Sequence, residues 1–84
     1  MRRNANLIGP NVVKFRCLRG WTQEELAGKI QLAGCYMTRD MLANIETRRR
    51  TVTDVQADFI ADVFGISTAE LFPPKPRGGA RRRD

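Results

Sequence analysis

Arg39, Asp40 and Asn44 are the side chains whose types and spacing suit hydrogen-bond chemistry with a nucleic acid. On a helix they share one side with Ala43 and Thr47, while Thr38, Met41, Leu42 and Ile45 share the other. An arginine can take guanine through two parallel bonds and an asparagine can take adenine the same way. A carboxylate can only accept, for example from the amino group of cytosine. Directly behind them stands Arg48-Arg49-Arg50, a run suited to phosphates. Viewed alone, so short a segment with an apolar back and a polar front is equally an ordinary surface helix with a solvated face. Its neighbours must decide between the two.

Thr38 is placed to cap this helix, which then runs to about Glu46. Upstream, Thr22 and Glu25 form a capping box (T-x-x-E), so another helix starts at Gln23. Leu26, Ile30 and Ala33 give it one apolar face, and Gly34 is suited to end it in a left-handed conformation. Residues 22–46 therefore read as two helices joined by a turn, the second presenting its polar face to a DNA major groove. Gln23 and the free N–H groups at the start of the first of these helices suit a phosphate. Gly28 inside that helix costs about 1 kcal/mol relative to alanine. A close approach by another helix would account for it.

The elements on either side complete a small core. Met1 to Leu7 reads as a loose, frayed arm, from which Arg2 and Arg3 could reach DNA backbone. Pro10 suits a first helical turn, Ile8, Val12 and Phe15 mark a buried face, and Gly20 ends this helix. Arg16 lies on the same face and needs a partner there, because an unpaired buried charge costs several kcal/mol. Glu46 is the candidate partner, and the alternative is that Arg16 reaches solvent along its methylenes. Trp21 packs on the following helix as core rather than as a platform for a base.

Beyond the arginines, Thr53 and Gln56 open a helix to about Phe64, with Val55, Phe59, Ile60 and Val63 as its apolar face. Asp54, Asp58 and Asp62 recur on its exterior as an acidic stripe, which reads as solvated rather than metal-binding. Gly65 stops it, and Ser67 with Glu70 caps a short fifth helix through Leu71 and Phe72. Pro73 and Pro74 end regular structure, and PPKPRGGARRRD (73–84) has the composition of a disordered basic tail. The expected fold is all-α, a five-helix bundle in one domain over residues 8–72.

Charge is distributed unevenly along the 84 residues, whose net charge is +6. Residues 1–50 carry ten Lys/Arg against four acids, whereas residues 51–72 carry four acids and no Lys or Arg. One end meets phosphates and the other faces away, on this reading. With no histidine and only Cys17 and Cys35, which read as small buried or half-buried packing residues, neither a zinc site nor general acid–base catalysis has a set of groups. No metal, cofactor or enzymatic activity is expected. No apolar run can span a bilayer or serve as a secretory signal, so a cytoplasmic location is expected.

GWTQEELA (20–27) after Arg16, then Thr38, Ile45 and Glu46, then IADVFGI (60–66) and Leu71-Phe72 together resemble the Cro/phage-repressor type of helix-turn-helix family. The resemblance covers residues 8–72. It implies a repressor-like domain that binds double-stranded operator DNA, commonly as a homodimer on a two-fold site. By motif position it implies base reading by Arg39, Asp40 and Asn44, and backbone contact by Thr22, Gln23, Thr38, Thr47, Arg48, Arg49 and Arg50. It also implies a structural salt bridge between Arg16 and Glu46. The segment from Ala27 to Ile45 is several residues longer than the commonest family pattern, which extends helix two or the turn. A transcriptional repressor is the expectation. The rival reading is an antitoxin-like module that binds a protein partner, with DNA binding secondary.

Overall fold

Five helices follow one another in the computed structural model, which describes residues 6–73. They are α1 Gly9–Leu18, α2 Gln23–Ala33, α3 Arg39–Glu46, α4 Asp54–Phe64 and α5 Thr68–Leu71, and no strand occurs among the described residues. Three of them begin alike. Thr22, Thr38 and Thr53 sit in extended backbone, and each Oγ1 accepts the N–H three residues on, from Glu25, Met41 and Gln56, at 3.0 Å. Glu25 and Gln56 return the bond to the threonine N–H, at 2.8 and 3.1 Å. Caps of this kind contribute about 1 kcal/mol each. The Glu70 carboxylate likewise takes the Ser67 N–H at 3.0 Å. Gly34 ends α2 with φ 117°, which lets the Cys35 N–H reach back to the Ile30 carbonyl.

α3 lies against α1 and α2, while α4 packs on α1, α2 and α5. Val12, Leu26, Ile30, Leu42, Ile45, Ile60 and Leu71 meet in the core with no exposed surface. Met37 joins them from the turn before α3, and the Gln31 side chain donates to its carbonyl. The extra length between the helices is thus tied down at a buried methionine. Trp21 is half-buried and stacks on Phe64 with centroids 6.0 Å apart, while the Arg19 guanidinium lies 5.0 Å from the Phe64 ring centre.

The lock between helices is the expected one. Arg16 Nε donates to Glu46 Oε2 at 2.7 Å and Nη2 to Oε1 at 3.1 Å, with the two side chains 15% and 2% exposed. Arg16 Nη1 also donates to the Trp21 carbonyl at 2.8 Å, and Gln23 Nε2 donates to Glu46 Oε1 at 2.9 Å. Three helices therefore share one buried carboxylate. Donating to the Glu46 carboxylate raises the Arg16 pKa above its usual value, against the opposing effect of burial. Arg16 does not run out to solvent.

Several expectations need correcting. Ala33 is exposed, and so is Val55, at 61%. α4 turns Ala57, Ile60, Ala61 and Phe64 inward, because two alanines one turn apart let its backbone come close to the core. Phe59 and Val63 fall on the flank of that face. Cys17 is exposed rather than packed. Gly28 faces no close approach: a Cβ built there meets nothing within 4 Å. Asn6, expected in a loose arm, is fully buried; its Oδ1 accepts from the Ile8 and Gly9 N–H groups at 3.1 and 2.9 Å. Ile8 is the residue at the N-cap of α1, and Asn6 forms a side-chain turn just before it; the readiness of asparagine for such turns was the available signal. The expectations for residues 1–5 and 74–84, Arg2, Arg3 and the basic tail included, lie outside the described residues.

Two stability changes follow. Glu46→Ala leaves Arg16 buried without its carboxylate and should lower unfolding free energy in urea by about 3–5 kcal/mol. A loss below about 1 kcal/mol, the scale of an exposed pair, would mean that the pair does not lock the helices. Gly28→Ala should raise stability by about 1 kcal/mol, since the added methyl has room and the helix gains propensity. Destabilisation would show that the site is tighter than the geometry allows.

Candidate nucleic-acid interface

Because Leu42 and Ile45 are fully buried, the rotation of α3 about its axis is fixed. The opposite side carries Arg39 and Asp40 at its start and Asn44 one turn further on. Arg39 and Asp40 side chains are 61% and 85% exposed, with Arg39 Nη2 3.6 Å from Asp40 Oδ1. So exposed a pair contributes at most about 1 kcal/mol, and Arg39 can leave it for a better acceptor. Asn44 is half-buried, and among the described residues its side chain makes no hydrogen bond. A helix of this length spans about 12 Å, which a major groove admits.

The segment after α3 folds back on it. Thr47 N–H donates to the Ala43 carbonyl, Arg48 N–H to Ile45 and Arg49 N–H to Asn44, at 3.1, 3.1 and 2.8 Å. Arg48 achieves this with φ 63°, a left-handed conformation uncommon outside glycine. Its Nε donates to the Asn6 carbonyl at 2.9 Å. Arg49 and Arg50 are exposed, and their guanidinium groups have no partner among the described residues. Cations are also favoured at this end of α3, where the helix dipole is negative.

The other expected backbone contacts are differently disposed. Gln23 turns its amide onto Glu46, so its first role is to support α3 rather than to stand free for a phosphate. Thr22 and Thr38 use their oxygens as caps, which leaves each hydroxyl proton available to an acceptor. Thr47 spends its hydroxyl proton on the Ala43 carbonyl at 3.0 Å. Arg48 holds the loop. Arg49 and Arg50 remain as the free cations of the set among the described residues.

Asp54, Asp58, Asp62 and Glu70 are all exposed, and they stand on α4 and α5 rather than on the helix that carries Arg39. Asp58 accepts the Thr68 hydroxyl at 2.6 Å. No cluster of metal-ligating side chains occurs among the described residues. A shallow pocket between Leu7, Val52, Ala57 and Phe72 carries a single carboxylate, Asp54, and no base to pair with a nucleophile. No helix is long and apolar enough to cross a membrane, among the described residues.

Comparison with known proteins bears on the family and the fold. Residues 12–71 match the family model described as helix-turn-helix. Among solved structures the chain is similar to a hypothetical transcription factor, NHTF, from Neisseria, with TM-score 0.72 and 24% identity over 86% of this chain and 77% of that one. A search of curated proteins gives no match. The chain is a member of the Cro/C1-type helix-turn-helix family, DNA-binding regulators of transcription.

Proposed function

We propose that α3 enters the major groove of double-stranded DNA and reads bases with Arg39, Asp40 and Asn44. Arg49 and Arg50 neutralise phosphates beside it, and the Thr22 and Thr38 hydroxyls add polar contacts to the backbone. The observation that supports this most directly is the orientation of α3. Leu42 and Ile45 are wholly inside, which leaves Arg39 and Asp40 exposed and Asn44 half-buried on the other side, next to the arginine loop. Arg39 suits guanine, Asn44 suits adenine, and Asp40 accepts from cytosine while repelling phosphate. We propose repression as the outcome, because a bound module of this size blocks access to the DNA it covers. A two-fold site bound by two copies fits the family pattern.

Selection of bound duplexes from a random pool tests this, and palindromy among the winners reports the symmetry. On the selected duplex, Asn44→Ala should relax preference at one base pair by about 1–3 kcal/mol. Arg49→Ala should instead weaken all duplexes alike and reduce the salt slope by about 1. Uniform loss for Asn44→Ala, or altered base preference for Arg49→Ala, would overturn the assigned roles.

A further inference from the structure

The buried Asn6 carboxamide makes more contacts than its local turn requires. Besides taking the Ile8 and Gly9 N–H groups, its Nδ2 donates to the Ile45 carbonyl at 2.6 Å and to the Arg50 carbonyl at 3.1 Å. Its own backbone carbonyl accepts Arg48 Nε. One residue at the start of the described chain therefore ties down the last turn of α3 and both ends of the arginine run. The start of α1 is also pressed against the end of α3: a Cβ on Gly9 would stand 2.5 Å from the Ile45 carbonyl and 3.1 Å from that of Glu46. Arg49 lies between the two tied residues, with its N–H on the Asn44 carbonyl.

We infer that Asn6 is a positioning residue for DNA recognition, holding Arg49 and Arg50 in register with the base-facing side of α3. This rests on the reading of α3 proposed above. Phosphate contacts fix how a protein sits on the duplex, so base contacts are made well only when the phosphate-binding cations stand at a set place relative to them. The Asn6 amide holds the Arg50 carbonyl, and the run would shift against α3 if that bond were lost. The displacement would pass to Arg49 and Arg50. Asn6 touches no DNA in this account; it acts through the loop.

Asn6→Asp tests it. The carboxylate still accepts the Ile8 and Gly9 N–H groups but puts an oxygen where Nδ2 donates to two carbonyls. Asn6→Ser replaces the two N–H donors by one hydroxyl proton on a shorter side chain, which cannot serve both carbonyls, and adds no charge. Ile60→Val, a small core loss in α4, serves as the stability control. All are compared on the selected duplex at a temperature where circular dichroism shows them folded. Asn6→Asp should bind at least about tenfold more weakly and lower the slope of log affinity against log salt by about 1–2. Asn6→Ser should fall between it and the unmodified protein, and Ile60→Val should stay within about twofold. If the folded Asn6 variants bind like Ile60→Val with unchanged slopes, the inference is wrong. Failure of both to fold would assign Asn6 to domain stability and equally overturn it. If the unmodified protein selects no duplex, the reading of α3 fails instead, and the two failures are told apart.

Discussion

A carboxylate with almost no exposed surface, Glu46, sits where three helices meet, and the placement of α3 depends on how that charge is satisfied. Two bonds come from Arg16 on α1 and one from Gln23 on α2. α3 has only eight residues, too few to hold a helix in water by itself, so its neighbours must stabilise it. Leu42 and Ile45 set its rotation through non-directional apolar burial. Glu46 adds direction, since an unmet charge at that depth costs several kcal/mol and other tilts of α3 would break the bonds. Apolar packing supplies most of the attraction, and the ion pair selects the geometry.

That division of labour explains the polar face. Side chains that serve the fold are turned inward or along the backbone: Glu46, Gln23, the Thr47 hydroxyl and the Arg48 guanidinium. Asn44, Arg49 and Arg50 are left without such partners among the described residues, and Arg39 has only a loose exposed one. The exposed carboxylates of α4 and α5 stand on other helices, so the field of the described domain is uneven. An anionic duplex is favoured near the free arginines and disfavoured near the exposed carboxylates. Family membership gives the class of partner, DNA, and the free cations beside α3 support the surface proposed for it.

What the sequence discloses follows the range of the interactions involved. Caps at Thr22, Thr38 and Thr53 and the stop at Gly34 were legible because each is settled within a few residues. The Arg16–Glu46 pair was legible for a different reason: a charge on an apolar face demands a partner, and few candidates exist. α3 could be oriented because its two sides differ so sharply. α4 could be oriented only coarsely, since opposite its acidic stripe the apolar arc is wide, and the small alanines, not the bulky Val55, decide which part of it goes in. Asn6 and Gln23 escaped because an amide serves equally well inside or outside, and its partners lie far along the chain. Arg48 was hidden in a run of three like charges, of which the backbone geometry singles out one.

The central claim is that DNA meets the outer side of α3 together with the loop that follows it. Titrating an isotopically labelled sample with a bound duplex and following amide resonances tests this most directly. The account predicts that the large shifts fall on Arg39 to Asn44, on Thr47 to Arg50 and on the start of α2, with α4 and α5 little changed. Shifts centred on the acidic stripe of α4, with α3 undisturbed, would contradict it.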